Sequence, residues 1–420
     1  MQDSFFAGID IGSSAIRIAV GQRVASRGKE QVHVISAAEV PSEGITRGTI
    51  NSLEDAVSCI SSCLEKAERM TGTPVSSAWV SLSGAHATVA ESKGVVAVSR
   101  PDGEIREEDV QRAVEAAQTV MTPVNHEIIH VIPKAFLVDG QAGVKDPVGM
   151  NGIRLEVDAR IIQANAAHVK NLTKCIYRTG INIERLVLGI LASSEVVTTS
   201  RQRELGVVVV NMGGSTTTMA VFEQGDILHI ASIPLGADHI TADVAIGLRT
   251  SIEIAERIKC GFASTLPSSF SKKDEISLRD VGAESDELVS LHYVAQIVQA
   301  RVDEILDRVD RELKKIGRSG LLPAGVIFTG GGSKLNGLVE FAKQKLRLPV
   351  SLGYPMNITS ITDRVNDLAF STAIGLVQWG INEHPEGTHA QLEMAGAGLL
   401  GKVTPQMDAV KKRIQQWFGG

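Results

Sequence analysis

Gly8-Ile9-Asp10-Ile11-Gly12-Ser13-Ser14-Ala15-Ile16-Arg17-Ile18-Ala19-Val20 stands near the start of the chain, and Val207-Val208-Val209-Val210-Asn211-Met212-Gly213-Gly214-Ser215-Thr216-Thr217-Thr218-Met219-Ala220-Val221 answers it near the middle. Each stretch reads as a β-branched strand, a polar residue, a tight turn of glycine and hydroxyl residues, and a second β-branched strand. The pattern predicts a β-hairpin. Such a turn gathers backbone N–H groups and hydroxyls at one point, a nest suited to phosphate oxygens. Gly12, Ser13 and Ser14 supply it in the first hairpin; Gly213, Gly214, Ser215 and Thr216 supply it in the second. Asp10, at the end of the first strand, is placed to hold a metal ion through water. A single hairpin of this kind is equally a structural turn. Two, separated by roughly half the chain, predict two similar domains that face each other and clasp phosphates from opposite sides.

A third glycine turn points the same way. Val326-Ile327-Phe328-Thr329 reads as a buried strand that runs into Gly330-Gly331-Gly332-Ser333, with a helix expected over Leu335–Ala342. Three consecutive glycines cost backbone entropy and imply that another group comes close. The stretch lacks the GxxxxGK[ST] and GxGxxG spacings, which sets aside P-loop and dinucleotide folds. Between the second and third turns lies Ile252-Glu253-Ile254-Ala255-Glu256-Arg257-Ile258-Lys259. Its Glu253, Glu256 and Lys259 share one helical face, which is either a solvated ion-paired face or a contact with a ribose or base. Gly236 completes the candidate nucleotide set.

Composition narrows the class. The 420 residues are 43% hydrophobic and 21% charged, with a net charge of −6, which argues against a nucleic-acid binder. No apolar run approaches the ~18 residues of a membrane span, and the N-terminus does not read as a secretory signal. Cys59, Cys63, Cys175 and Cys260 are too few for a disulfide scaffold and complete no zinc set. A cytosolic globular chain is expected. Charge is uneven: Lys402, Lys411, Lys412 and Arg413 against Asp408 leave residues 402–420 at +3, and the rest at −9.

In this order, two phosphate hairpins, the AExxK helix and the TGGGS turn resemble the actin, Hsp70 and sugar-kinase ATPase superfamily. Ser371-Thr372-Ala373-Ile374-Gly375-Leu376-Val377 resembles its last motif, a helix packed behind the cleft. Glu195, sixteen residues before Asn211, resembles in spacing the position where many members carry a Gln or Glu near the attacking water. The segment 84–163 narrows the resemblance. Ser81-Leu82-Ser83-Gly84-Ala85-His86, two strands through Val98, a helix from Glu107 to Val120, His130-Val131-Ile132-Pro133-Lys134-Ala135-Phe136-Leu137-Val138-Asp139-Gly140 and Asp146-Pro147-Val148-Gly149-Met150 closely resemble the inserted subdomain of the FtsA family, the actin-like bacterial cell-division proteins.

That resemblance implies an α/β, actin-like fold of two similar domains around a nucleotide cleft. Residues 1–83 with 164–205 would form one subdomain around the insertion 84–163. Residues 206–240 with 320–380 would form its counterpart, and 241–319 a further subdomain. It implies ATP with Mg²⁺ as ligand, self-association into filaments, and a place at the division site on the cytoplasmic face of the cell membrane. The partners it implies are the C-terminal peptide of the tubulin-like protein FtsZ, other division proteins and an anionic membrane surface. Residues 241–319 carry a Ser- and charge-rich loop from Ser264 to Ser285 and a long helix pattern over Leu288–Ile316, whose basic face includes Arg301 and Arg308. The family's peptide site lies in this region. Two positions depart from the family pattern: Ala15 replaces the usual Lys, with Arg17 on the same strand face, and Asn211 replaces the usual Asp. Each lost charge-assisted contact is worth about 1.5–3 kcal/mol, so slow or absent hydrolysis is expected.

Residues 381–403 read as a linker. Beyond it, Met407, Val410, Ile414, Trp417 and Phe418 form one apolar helical stripe beside Lys411, Lys412 and Arg413, the pattern of an in-plane membrane helix; docking on the protein's own surface is the alternative. The whole reads as a membrane adaptor, against two others: a PilM-type pilus-assembly relative and a soluble ATPase of the same superfamily.

Overall fold

The computed structural model describes residues 5–26, 29–119, 123–271 and 273–384. The predicted tail helix and most of the linker lie outside the described residues. The chain opens with an antiparallel meander, β1 (Phe5–Ile11), β2 (Ala15–Ser26) and β3 (Lys29–Pro41). A small hairpin, β4 (Ile45–Thr46) and β5 (Thr49–Ile50), leads into α1 (Leu53–Thr71). That helix starts where the Ser52 hydroxyl accepts the Asp55 N–H and stops where Gly72 turns left-handed. β6 (Ser77–Leu82) returns parallel to β1. There follow β7 (Ala87–Ala97), α2 (Glu107–Gln118), β8 (His126–Val138), β9 (Gln141–Val144) and β10 (Arg154–Asn165). Next come α3 (Ala166–Arg178), β11 (Asn182–Leu188), α4 (Gly189–Val197) and α5 (Ser200–Leu205).

The meander then recurs as β12 (Val207–Met212), β13 (Thr217–Glu223) and β14 (Asp226–Ile233). After α6 (Ala237–Leu248) and α7 (Ile252–Gly261), a short pair, β15 (Glu275–Ser277) and β16 (Leu288–Ser290), precedes α8 (Leu291–Lys315). β17 (Gly325–Thr329), α9 (Leu338–Leu346), β18 (Val350–Leu352), β19 (Ile358–Ser360) and α10 (Ser371–Glu383) complete the described chain.

The described residues fall into two compact units: 5–85 with 171–378, and 86–170 with 379–384. The first holds two sheets of one design. In order β11-β6-β1-β2-β3-β19 and β14-β13-β12-β17-β18, each is an antiparallel meander whose first strand is flanked by parallel strands. Buried on both faces, Val207-Val208-Val209-Val210 form the middle of the second sheet, which is why four consecutive valines are used there. The second unit is a four-stranded antiparallel sheet, β7-β10-β8-β9, with α2 packed on one face.

Three expectations need correction. The two strands read before Val98 are one, β7; Gly94 is not a break, since a Cβ there would lie 1.9 Å from the Ala113 carbonyl oxygen of α2. The helix after the glycine turn begins at Leu338, because Gly331–Lys334 forms a 3₁₀ turn and Gly337 is left-handed. The long helix begins at Leu291, because Leu288–Ser290 pairs with β15. Val298, Val302, Ile305, Leu306, Val309 and Leu313 bury one face of it, but its basic face is a row of ion pairs. Arg301 donates to both carboxylate oxygens of Asp243 on α6, at 2.6 and 2.9 Å, and to Glu304. Arg308 meets Glu304, Lys314 meets Asp310, and Lys315 meets Glu312. Arg301 is therefore a joint between α6 and α8. Replacing Arg301 by Met leaves the half-buried Asp243 without its bidentate partner and is expected to cost about 1–3 kcal/mol. Exposed Arg308→Met should change stability by no more than about 0.5 kcal/mol. Urea midpoints of the two variants check the contrast.

Candidate functional site

The two hairpin turns close in the same way. Gly12 N–H donates to the Ala15 carbonyl at 3.2 Å, and Gly213 N–H to the Thr216 carbonyl at 2.9 Å. Asp10 pairs across its hairpin with Arg17, as Asn211 does with Thr218. The echo in sequence is thus an echo in hydrogen bonding, with Ser14 and Ser215 at matching places. Within the first unit both turns, the third glycine turn and part of α7 line one cavity of about 460 Å³.

Asp10 sits beneath the first turn. Its carboxylate accepts the Ser81 hydroxyl at 2.8 Å, and Ser81 Oγ in turn accepts the Ile11 N–H at 3.0 Å. Burial pushes the Asp10 carboxyl above its ordinary range, against the opposing pull of Arg17 and the Ser81 bond. Arg17 lines the cleft beside Ala15, as their shared strand face predicts. Its Nε is already engaged by Glu39 at 2.6 Å, and its guanidinium lies 5.9 Å from the centre of the Phe370 ring.

The third turn has two distinct demands. Gly330 (φ +86°) could carry no Cβ, since one would lie 2.3 Å from Asn211 Oδ1; Gly332 is pressed against Met212. Gly331 has nothing within 3.8 Å and faces the cleft. The closeness inferred from three glycines is therefore supplied in part by β12. Buried Ser333 hydrogen-bonds the Thr329 carbonyl and does not line the cleft. Asn211 Nδ2 donates to Thr372 Oγ1 of α10 at 3.2 Å.

On α7, Glu256 and Lys259 line the cleft and pair at 2.6 Å. Lys259, buried, also donates to Thr241 Oγ1 at 2.8 Å and to the Ala237 carbonyl at 3.3 Å. Burial pushes the Glu256 carboxyl up, but the bonds from Lys259 and Thr241 outweigh it and hold the group below the ordinary carboxylate range. Glu253 is exposed in the first turn of α7 and faces away from the cavity, its carboxyl held low by its own N–H and the Ser251 hydroxyl. The shared face of three thus divides: a two-residue site contact and a solvated helix start. Gly236 lies behind the second turn, where a Cβ would strike the Gly214 carbonyl, and does not line the cavity. Glu195 is also absent from the lining. It pairs with Arg203 at 3.4 Å, while Gly189 and Ile190, at the start of the same helix, face the cleft. Six residues at 100° each turn Glu195 well away from Gly189. Glu39, Ser81, Asp238 and Thr372 were not picked out from sequence. They come from four separate elements, and only strand register and helix packing bring them to the cleft.

Comparison with known proteins gives the family and the fold. The family description "Cell division protein FtsA" matches residues 208–375, and "SHS2 domain inserted in FTSA" matches 84–163. Cell division protein FtsA of Pseudomonas aeruginosa is 33% identical over 98% of this chain and 97% of its own length. FtsA of Bacillus subtilis is 35% identical over 90% of this chain and 83% of its own. Among solved structures, the PilM-PilN type IV pilus biogenesis complex superposes with a TM-score of 0.65 at 16% identity, covering 90% of this chain and 99% of that one. MreB 5 of Spiroplasma citri bound to AMPPNP does so with a TM-score of 0.53 at 12% identity, covering 94% and 100%. At such identities these two structures show the fold, which is actin-like.

The raised Asp10 pKa has a sign. A carboxyl whose folded pKa exceeds its unfolded one destabilises the fold fully above the folded pKa, and the cost vanishes as pH falls to the unfolded value. Asp10→Asn is therefore expected to raise the melting temperature of the ligand-free chain at neutral pH, with a gap that narrows on acidification. A variant that melts lower at neutral pH would contradict this. The same variant should lose most of any stabilisation that magnesium and nucleotide confer.

Proposed function

The chain belongs to the FtsA family of cell-division proteins, and on that premise we propose that it is an actin-like adaptor that uses a bound nucleotide as a structural ligand. It takes ATP with Mg²⁺ in the cleft, associates with copies of itself into filaments, and ties FtsZ filaments to the cytoplasmic face of the cell membrane at the division site. Other division proteins join through the same assembly. The single observation that carries the nucleotide reading is the paired turns, closed by equivalent hydrogen bonds and lining one cavity with Asp10, Glu256 and Lys259. The likeness to an AMPPNP-bound structure supports it. On this reading the Gly12–Ser14 and Gly213–Thr216 turns receive phosphates, Asp10 holds Mg²⁺ through water, Glu256 meets the ribose, and Arg17 takes part of the role of the absent lysine.

Hydrolysis is slow or absent. The second turn opens with Asn211, an amide that cannot anchor metal-bound water as a carboxylate does. Glu195 stands apart from the cleft. Turnover is expected below about 1 s⁻¹, and a steady-state rate above that would sink the proposal. Asn211→Asp keeps the size, can accept the Thr372 hydroxyl, and restores the charge. It should raise turnover by about one to two orders of magnitude, from the ~1.5–3 kcal/mol of a charge-assisted contact.

The membrane reading rests on the sequence of the tail. Each basic residue near an anionic surface adds about 1 kcal/mol, a modest gain for one molecule that becomes avid when tails are linked in a filament. With ATP present, the full chain should pellet with anionic liposomes and a chain ending at Val403 should stay soluble. If both stay soluble, the tail is not the anchor. Substitutions that block self-association should weaken pelleting even with the tail intact.

A further inference from the structure

Ser14 and Ser215 hold the same place in the two turns, and both hydroxyls are directed at one carboxylate. Ser14 Oγ donates to both oxygens of Asp238, at 3.1 Å each, and Ser215 Oγ donates to Oδ2 at 3.1 Å. Asp238 is the second residue of α6. The N–H groups of Ala237 and Asp238 donate to the Gly213 and Gly214 carbonyls, each at 2.9 Å, so the backbone of α6 is tied to the second turn while the Asp238 side chain reaches the first. A Cβ on Gly214 would lie 1.7 Å from Ser14 Oγ, so the Ser14 side chain reaches the backbone of the second turn.

The charges around this contact are unbalanced. The cleft is lined by Arg17, Lys259 and Lys334, and each has a carboxylate partner: Glu39, Glu256 and Asp367. Among the described residues, Asp10 and Asp238 are the lining carboxylates with no ion-pair partner. A phosphate that enters meets engaged cations, two unpaired carboxylates and, at Ser14 and Ser215, two hydroxyl donors already in use.

We propose that Asp238 is the specificity-determining residue of the cleft: its carboxylate takes one serine hydroxyl from each turn, Ser14 and Ser215, so that a nucleotide phosphate reaches those two donors only by displacing it, and does so best as a divalent-metal complex. The inference rests on the nucleotide reading and adds to it the residue that makes binding depend on the metal. Phosphate and carboxylate are both acceptors that compete for the same two hydroxyls. At hydrogen-bonding distance the two anions repel each other, and a divalent cation between them reverses the sign of that interaction. Once displaced, Asp238 no longer joins the two halves of the unit, and the phosphates with their metal take over that link.

Binding of ATP to the full chain is measured by equilibrium dialysis, in excess magnesium and in EDTA, for wild type, Asp238→Asn and Asp238→Ala. Asn keeps an oxygen to accept the serine hydroxyls but carries no charge. Wild type is expected to bind about a hundredfold more weakly in EDTA. Both variants should regain about tenfold of the metal-free affinity, equivalent to about 1.4 kcal/mol. Equal metal dependence in wild type and Asp238→Asn overturns the proposal. Recovery in Asp238→Ala alone also overturns it, because the carboxylate would then act by filling space. If none of the three chains binds ATP in magnesium, the nucleotide reading itself falls, and the inference with it.

Discussion

Two turns, each built to present hydroxyls and N–H groups, approach until one serine hydroxyl fills the place where a side chain on the other turn would begin. Everything around the cleft follows from that closeness. A Cβ on Gly214 would force the Ser14 hydroxyl, 1.7 Å from it, and the Asp238 carboxylate to turn aside, and Gly236 must be glycine because the Gly213 and Gly214 carbonyls turn back onto α6. The meanders behind the turns provide the rigidity. Each turn joins the first two strands of an antiparallel meander, flanked by a parallel strand on the other side, so neither can shift without breaking its sheet ladder. Two copies of one supersecondary unit, set face to face, make a clasp.

The electrostatics suit a clasp better than a catalyst. An ion that works on a reacting group is aimed at the charge that develops there, whereas the cations lining this cleft are aimed at neighbouring carboxylates. Lys259 is the clearest case: buried on α7, it holds Glu256, Thr241 and the Ala237 carbonyl together, which fixes the end of α6 that carries Asp238. Arg17 is similar. It leans on Glu39 and Phe370 and sets the rim of the first turn. Positions that in sequence read as ligand contacts are also the joints that hold the walls in place. Loss of any one of them would loosen the cleft before it altered the chemistry.

How much of this the sequence reveals depends on how local the information is. The hairpins, the buried valines and the stripe of α8 are written in residue alternation and helical spacing, and they are found where those patterns put them. The glycine turn was legible as a close approach, but the neighbour was not, because the contact with Asn211 and Met212 depends on β17 lying parallel to β12. The misplacements share a cause. Glu195 and Glu253 have the right spacing along the chain but the wrong rotation about their helices. Arg301 and Arg308 read from sequence as part of a basic face, and their acidic partners lie one turn away or on another helix. Asp238 was beyond reach: a single acid at a helix start is an ordinary capping preference, and only the meeting of two turns from opposite halves gives it a further role.

Asn211 shows why the departure from the family pattern is compatible with an intact fold. It sits where β12, the third glycine turn and α10 converge: Nδ2 donates to Thr372, and Oδ1 occupies the space that forces glycine at position 330. A carboxylate there could accept the Thr372 hydroxyl, but it would add a third unpaired carboxylate, beside Asp10 and Asp238, to a cleft whose cations are already paired. The amide donates to Thr372 and packs its oxygen against Gly330, so it joins the three elements without needing a counter-ion. It is a neutral connection between the strand that carries the second turn and the helix packed behind the cleft.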